Sequence, residues 1–197
     1  MRGNGEMKVV GICGSPRAKG NAAYLLGVAL GECKKAGLDT ELIELAGKKI
    51  GFCGGCAACP PCHVKDDMQK IYPKLGGADA IIVASPTYFG GPTGLLKTFM
   101  DRTLTLRRDN FKLRGKVGAV IAVGGSRNGG QENVCRDILN WMLIHDMTVV
   151  GDGAPTAHFG GIVVARNPGE AAKDEAGLKT VAGVGRRVAE ELARRKG

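Results

Sequence analysis

Short apolar runs alternate with longer amphipathic stretches through most of the chain. A short run of branched apolar residues is typical of a strand that is buried on both faces. Apolar residues repeated at three and four positions are typical of a helix with one buried side. The pattern predicts strands at 8–13, 40–45, 80–84, 117–123 and 147–150, and helices at 21–36, 66–75, 94–103, 131–145 and 178–192.

Strands that alternate with helices predict a parallel sheet, because parallel strands need crossover connections and both sheet faces must be covered. We therefore expect an α/β fold with a doubly wound, five-stranded sheet, formed by a single domain over residues 1–197. Residues 1–6 are expected to fray, and residues 51–65 to form an inserted cysteine-rich loop. Residues 151–173 show no period and are expected to be mostly irregular, as a surface or partner-contacting loop.

The composition predicts a soluble protein. With 197 residues and 44% hydrophobic content, the chain can bury one good core. No apolar run approaches the roughly 20 residues that span a bilayer, so we expect no membrane partner. The net charge is +9, but five of the basic residues lie on the last segment, where they are typical of a solvated helix face, and aromatic content is only 5%, so we expect no nucleic-acid partner. Seven cysteines without a signal peptide indicate a reducing cytoplasm.

Four of the seven cysteines lie close together and repeat a CxxC spacing: Cys53, Cys56, Cys59 and Cys62. With two residues between thiolates, neighbouring sulfurs can converge on one zinc ion or one iron-sulfur cluster. Cysteines that only pack would follow a helix or strand period, and this segment rich in glycine and proline has none. A disulfide framework is not expected in a chain of this length without a signal peptide.

These residues leave the choice of metal open. Repeated CxxC steps resemble the start of the ferredoxin run, which favours iron-sulfur over zinc, because zinc ribbons place their two CxxC pairs far apart. In the ferredoxin run the fourth cysteine serves a different cluster, so Cys62 is the least secure ligand. His63, Cys13, Cys33 and Cys135 are its possible substitutes.

The loop after the first strand has the sequence GSPRAKGNA and opens the first predicted helix. It has neither the GxGxxG spacing of dinucleotide-binding folds nor the spacing of a P-loop. Its backbone amides, the Ser15 hydroxyl, the Asn21 amide and the cations Arg17 and Lys19 suit the phosphate of a mononucleotide at a helix N-terminus. An ordinary glycine-rich turn with an Asn cap is the alternative.

Two more glycine-rich loops follow predicted strands. The loop SPTYFGGP at 85–92 places Tyr88 and Phe89 where a planar ring could stack on them, although core aromatics at a strand end would look the same. The loop GGSRNGGQE at 124–132 allows its backbone to approach a flat ligand closely, or is a plain flexible loop. In doubly wound sheets, ligands bind beyond the carboxyl ends of the strands, where these loops are expected.

In this order, the motifs GSPR...GN, CGGCAAC...CHVKDDM, SPTYFGGPTGLLKTFMDRT and GKVGAVIAVGGSRNGGQE resemble the iron-sulfur flavoproteins of the NADPH-dependent FMN reductase group. The resemblance runs from Lys8 to about Gly151, and less clearly through the final helix. It implies a flavodoxin-like fold with strand order 2-1-3-4-5, noncovalently bound FMN, and a 4Fe-4S cluster close to the FMN near a subunit interface. It also implies a homodimer or homotetramer.

The resemblance implies roles for individual residues. The FMN-binding residues would be Ser15, Arg17, Gly20, Asn21 and Ala22 around the phosphate, Pro86, Thr87, Tyr88, Phe89 and Gly90 around the isoalloxazine, and Gly125, Ser126, Gly129 and Gly130 on its far side or in a neighbour's site. The cluster ligands would be Cys53, Cys56, Cys59 and Cys62. Ala22 stands where the family usually has threonine, and the spacing from Cys59 to Cys62 is shorter than the family's usual spacing.

These observations predict an FMN-dependent oxidoreductase that passes electrons between a 4Fe-4S cluster and FMN to a small acceptor or carrier protein, with ferredoxin or NAD(P)H as donor. A second hypothesis is an NAD(P)H-dependent FMN or quinone reductase with zinc or redox-active thiols in the cysteine loop. A third is a non-enzymatic, flavodoxin-like electron carrier. No acid-base catalyst is required: His145 is predicted to pack on its helix, and Asp101 and Arg102 to be surface charges.

Overall fold

A parallel sheet forms the centre of the computed structural model, which describes residues 7–195. The prediction for residues 1–6 lies outside the described residues. The strands are β1 (Lys8–Cys13), β2 (Asp39–Glu44), β3 (Ala80–Pro86), β4 (Val117–Gly124), β5 (Thr148–Val149) and β6 (Gly161–Val164). The helices are α1 (Asn21–Lys35), α2 (Met68–Gly77), α3 (Gly94–Arg102), α4 (Leu104–Arg108), α5 (Gln131–Ile144) and α6 (Glu175–Arg194). The order β2-β1-β3-β4-β5 confirms the predicted 2-1-3-4-5 arrangement.

Helices cover both faces of the sheet, and alternate residues of each central strand face opposite layers. Val9 and Ile82 pack in one core with α1 and α6, whereas Val10 and Ile81 pack in a second core with α2, α3 and α5. Every residue of β4 is buried, which explains its continuous apolar run. Within residues 7–195, no helix combines the length and apolar character needed to cross a membrane.

The fifth position of the sheet is occupied by two short strands, β5 and β6. Residues 151–173 are mostly irregular, as predicted, but they contain β6 and one short 3-10 helix. β5 pairs with the start of β4, and β6 pairs with the last four residues of β4, both in parallel. The amides of Ile162 and Val164 at the open edge of β6 donate to Thr180 Oγ1 and Asp174 Oδ2 of the α6 region. A 3-10 helix, Glu170–Lys173, follows. β5 and β6 therefore lie along the same edge of β4, and the segment between them leaves the sheet.

His145 is buried at the end of α5, as its predicted packing role requires. Thr103 Oγ1 donates to Met100 O and accepts from Trp141 Nε1, so the contact of 2.8 Å between Thr103 Oγ1 and His145 Nε2 assigns the proton to Nε2. His145 Nδ1 is then a buried acceptor without a partner among the described residues. Burial, together with the positive charge of Arg107, lowers the pKa of His145 to about 4.

This shift predicts a loss of stability in mild acid. The unfolded chain takes up a proton near the ordinary histidine pKa of 6.5, whereas the folded chain resists it down to about 4. Stability is therefore fully present above pH 7 and falls by up to about 3 kcal/mol as the pH drops to 4. Urea unfolding between pH 7 and about 5, above the range in which carboxyl groups titrate, should show the slope, and His145→Gln should remove most of it; an unchanged slope in the variant would contradict the assignment.

Candidate flavin and metal sites

A cavity lies where the carboxyl ends of β1, β3, β4 and β6 meet. Nine of the fourteen predicted FMN-binding residues line it: Ser15, Arg17, Gly20, Asn21, Ala22, Pro86, Thr87, Tyr88 and Gly125. The remaining five, which are Phe89, Gly90, Ser126, Gly129 and Gly130, lie outside its wall. The structure thus brings the three glycine-rich loops to one place, as expected at the carboxyl edge of a doubly wound sheet.

One end of the cavity is built to hold an anion. The Ser15 hydroxyl accepts from the Arg17 amide at 3.1 Å and donates to Arg17 O, which curls the loop tightly. α1 begins at once after Gly20, which supplies no side-chain cap. The first amides of a helix lack intrahelical partners, so this terminus offers N–H donors and a positive dipole end beside the Arg17 cation.

Asn21 has a different contact from the one implied by the motif. Its side-chain Nδ2 donates to Asn167 O at 2.9 Å, and its Oδ1 accepts from the Gly169 amide at 2.9 Å. The side chain therefore fastens the loop after β6 against the start of α1. This loop adds Arg166 and Pro168 to the cavity wall, so a second cation lies in the same cavity as Arg17.

Sequence analysis missed the wall residues Val123, Ala165, Arg166 and Pro168. Three of them follow β6, which was not predicted. The available signal was the apolar run from Gly161 to Val164, because a loop that follows such a run reaches the same edge of the sheet as the other three loops.

The other end of the cavity is lined by the loops after β3 and β4. Residues 86–88 supply one side, and Gly125 supplies another. The Thr87 hydroxyl is buried and has no hydrogen-bond partner among the described residues. An unpaired buried hydroxyl is costly, so a ligand that pairs with it would be stabilised. The two loops touch at Gly90 and Gly130, where a Cβ on Gly130 would lie 2.8 Å from Gly90 Cα.

Phe89 lies at the tip of a tight turn and points into solvent. Tyr88 and Gly91 exchange both backbone hydrogen bonds, and the residues between them, Phe89 and Gly90, both have positive φ. This is the backbone of a hairpin turn that favours Gly and Asn. The Phe89 side chain is fully exposed. Strain of this kind, in a bulky residue beside a ligand cavity, is typical of a functional position.

Replacing this residue tests the strain. Phe89→Asn should raise the free energy of unfolding of the monomeric, FMN-free chain by about 1 kcal/mol, because asparagine adopts positive φ at lower cost and no surface buried within the chain is lost. Phe52→Asn is the matched control, since Phe52 is 86% exposed and its φ is not positive. Equal urea midpoints for the two variants would show that Phe89 carries no strain.

The four clustered thiols share a second, smaller cavity, which His63, Arg102, Leu104 and Thr105 also line. Cys56 Sγ lies 3.5 Å from His63 Nδ1. Among residues 7–195, no three His, Cys, Asp or Glu side chains have already converged to metal-binding distance. The four thiols thus line one cavity, but their sulfur atoms are too far apart to bind a single metal ion. A group with several bonding atoms suits such a donor set.

Neighbouring helices hold the cysteine loop in place. Asp67 Oδ2 accepts from the Lys49 amide at 2.8 Å, and Gln69 Nε2 donates to Cys62 O and Val64 O. Arg108 of α4 donates to Cys56 O at 2.8 Å. The loop has no regular structure of its own, so these bonds replace the backbone pairing that a helix or strand would supply.

The three isolated cysteines are buried in the two cores and do not line the thiol cavity. Burial raises the pKa of Cys13 to about 11 and those of Cys33 and Cys135 to about 12. Neutral, inaccessible thiols are poor ligands. Of the possible substitutes for Cys62, only His63 adjoins the cavity.

The prediction that Arg102 is a surface charge is wrong, because Arg102 is 1% exposed. Its guanidinium contacts both carboxylate oxygens of Asp66, at 2.5 and 3.1 Å. Asp66 also accepts from the amide of Met68, the first residue of α2, which fits its predicted place at a helix start. Burial would raise the pKa of Asp66, but Arg102 and backbone amides outweigh it and hold that pKa below its ordinary range.

Cys62 also contacts the Arg102 guanidinium, through Nη2 at 3.5 Å. Burial alone would raise the pKa of Cys62, but hydrogen bonds from the Val64 amide, the Tyr72 hydroxyl and Arg102 outweigh burial and lower it. A lowered pKa favours the thiolate, which is the form that binds metal. The structure therefore places Cys62 in an environment suited to a ligand.

The residues of both cavities fit the groups that the sequence motifs implied. For FMN, the anion end, the end lined by residues 86–88 and Gly125, and the unpaired Thr87 hydroxyl match a phosphate and a ring that can hydrogen bond. For a cluster, four thiols line one space, and the buried Arg102 Nε has no partner among the described residues.

Comparison with known proteins agrees with this geometry. Residues 7–161 match the sequence model of the family described as NADPH-dependent FMN reductase. An iron-sulfur flavoprotein of Methanocaldococcus jannaschii is 48% identical over 187 residues, which cover 93% of this chain and 96% of the relative. An iron-sulfur flavoprotein of Methanosarcina thermophila is 43% identical over 189 residues, which cover 94% and 95%.

Solved structures support the fold. A WrbA-like flavodoxin from Agrobacterium tumefaciens superposes with a TM-score of 0.70 at 19% identity, covering 98% of this chain and all of the other. A flavodoxin from the domain Archaea superposes with a TM-score of 0.62 at 20% identity, covering 95% and 99%. The fold is therefore flavodoxin-like, as predicted. The chain belongs to the NADPH-dependent FMN reductase family and, within it, to the iron-sulfur flavoproteins, and it is an oxidoreductase that uses FMN.

Proposed function

We propose that the protein passes electrons between FMN in the larger cavity and a 4Fe-4S cluster held by Cys53, Cys56, Cys59 and Cys62. The observation that carries the proposal is the common cavity of the four thiols, which adjoins a helix leading to the flavin cavity. When bound, the flavin supplies two-electron chemistry and the cluster supplies one-electron chemistry. The names of the relatives support the choice of iron-sulfur over zinc.

One helix runs from the base of the loop after β1, whose next residues line the flavin cavity, to the thiol cavity. Thr93 caps α3, accepting from the Leu96 amide, and its hydroxyl donates to Gly14 O at the start of the loop after β1. The last residue of α3, Arg102, lines the thiol cavity. A helix of nine residues is about 13 Å long, so the two sites are neighbours within one chain. Short separation favours direct exchange of electrons between them.

The chain's own residues have distinct tasks in this proposal. Arg17, the Ser15 turn and the start of α1 bind the phosphate and so fix the position of the ring. The loops at 86–90 and 124–130 approach the ring through backbone and exclude water from its faces. The physiological donor is a reduced nicotinamide or a one-electron carrier such as ferredoxin, and the family's description favours the nicotinamide. The acceptor is a small oxidant or a carrier protein.

We also propose that the protein is a homodimer or homotetramer. Phe52 beside the thiol cavity is 86% exposed and Phe89 beside the flavin cavity is fully exposed. Exposed aromatic side chains at the mouths of both sites are typical of surfaces that are covered in an assembly. Sedimentation velocity should give a mass of two or four chains, and Phe52→Asn with Phe89→Asn should shift it toward one chain.

The composition of anaerobically purified protein tests the main proposal. The visible spectrum should show flavin bands over a broad iron-sulfur shoulder, with about four irons and four acid-labile sulfides per chain. Flavin bands with zinc, or with no metal, would instead favour a flavin or quinone reductase with a zinc or thiol loop. Absence of flavin would overturn both readings.

A further inference from the structure

Arg102 is an unusually placed cation. Its side chain is fully buried at the end of α3 and forms part of the wall of the thiol cavity. A charged side chain is costly to bury unless it is paired and hydrogen bonded. Its contacts should therefore reveal what it is built to hold.

The guanidinium joins the two ends of the cysteine loop. Nη1 donates to Gly51 O at 2.8 Å, before the first cysteine, and to Asp66 Oδ2 at 2.5 Å. Nη2 donates to Asp66 Oδ1 at 3.1 Å. It also contacts Cys62 Sγ, the last thiol of the loop, and Val64 O just beyond it, both at 3.5 Å. Asp66 Oδ2 also accepts from the Gly51 amide at 2.9 Å. One ion pair therefore fixes both ends of the loop.

The pair carries no net charge, because Asp66 balances Arg102. At the wall of the thiol cavity, Arg102 therefore presents N–H donors whose orientation is fixed by Asp66. Nη2 is directed at Cys62 Sγ, and Nε is buried without a partner among the described residues. Arg102 thus brings to the wall of the thiol cavity one N–H donor, at Nε, that no described protein group accepts.

We propose that Arg102, oriented by Asp66, is a positioning residue of the iron-sulfur centre that holds Cys62 in the cavity and favours the reduced state of the centre. This inference rests on the proposed function. On reduction the centre gains one electron from its redox partner, no bond forms or breaks, and its sulfurs become more negative. Hydrogen bonds to those sulfurs stabilise the added charge and raise the reduction potential.

Two replacements remove the planar guanidinium fork while keeping the net charge of the pair. Arg102→Lys retains the cation but loses the planar fork that reaches several acceptors at once. Asp66→Asn combined with Arg102→Gln replaces the ion pair by two neutral amides, which avoids leaving one buried charge unpaired. Lys97→Gln is the control, because Lys97 lies on the same helix in an exposed pair with Asp101.

The experiment is a redox titration of the holoprotein with mediators, followed by electron paramagnetic resonance, with iron, sulfide and FMN counted on each sample. At the wild-type midpoint, the ratio of reduced to oxidised centre should fall about tenfold in Arg102→Lys and in the double variant, which is a shift of about 59 mV for one electron. Lys97→Gln should change the ratio less than about twofold, because an exposed charge is screened.

Each result decides the matter. Loss of iron with retained FMN in either Arg102 variant supports the holding role, since FMN shows that the chain has folded. Full loading with ratios within about twofold of wild type would overturn the inference and leave the proposed function standing. If Arg102→Lys fails to fold, the double variant decides alone. A wild-type protein without iron and sulfide would overturn the proposed function and the inference with it.

Discussion

Replacing Cys56 with serine should abolish the iron-sulfur centre and leave the flavin in place. Cys56 is one of four thiols on a single cavity, and a serine hydroxyl does not ionise to a soft ligand. Iron and sulfide should fall from about four of each per chain to near zero, while FMN content stays unchanged. The measurement is chemical analysis of iron, sulfide and FMN on the same anaerobic sample.

Ala57→Ser is the matched control in the same loop. Ala57 is exposed and does not line the thiol cavity, so the added hydroxyl should be tolerated. This variant should keep the full complement of iron. Retention of iron by Cys56→Ser would remove Cys56 from the ligand set, and loss of FMN from it would show that the loop supports the flavin cavity as well.

Arg17→Gln should weaken FMN binding by about 10- to 100-fold. A hydrogen bond to a charged group contributes about 1.5–3 kcal/mol, and each 1.4 kcal/mol is a factor of ten in Kd. Arg17 lines the anion end of the cavity beside the start of α1. Fluorescence titration of flavin-free protein with FMN measures the change directly.

Two controls locate the effect at the phosphate. Riboflavin lacks the phosphate, so its Kd should be the same in wild type and in Arg17→Gln. Lys19→Gln removes a cation from the same loop that does not line the cavity, so its Kd for FMN should stay within about twofold of wild type. An equal loss of riboflavin affinity in Arg17→Gln would place Arg17 elsewhere than at the phosphate.

Much of the fold was predictable because its elements carry strong local patterns. β4 is buried along its whole length and α5 has one apolar side, so both were predicted close to their observed bounds. β6 was missed because it has only four residues, begins at a glycine and follows an irregular segment. Its pairing with the end of β4 is a long-range contact that no local pattern encodes.

The flavin site was predictable to the extent that its residues lie in recognisable loops. Ser15, Arg17 and Thr87 belong to such motifs and do line the cavity, whereas Arg166 arrives from the missed strand. Asn21 was assigned to the ligand, yet it binds backbone of the loop after β6. A local motif identifies a residue type at a position and does not reveal which distant segment will use its side chain.

Arg102 shows the same limit in the metal site. Arg102 follows Asp101 at the polar end of an amphipathic helix, a sequence pattern that is typical of surface charges. Its burial depends on Asp66, which is 36 positions away and was itself read only as a helix start. Pairing across that separation requires the segment before α2 to meet the end of α3, a tertiary contact that the spacing of charges in sequence does not contain.

The exchange of electrons between the two sites is the central claim, and the rate of cluster oxidation tests it most directly. Fully reduced protein is mixed anaerobically with a quinone. In this account the quinone would take two electrons from reduced flavin, and the cluster would then return one electron to the flavin. Rapid freezing and electron paramagnetic resonance follow the reduced cluster with FMN bound and after FMN removal. The account predicts cluster oxidation about tenfold or more slower without FMN. Equal rates in the two samples would contradict it.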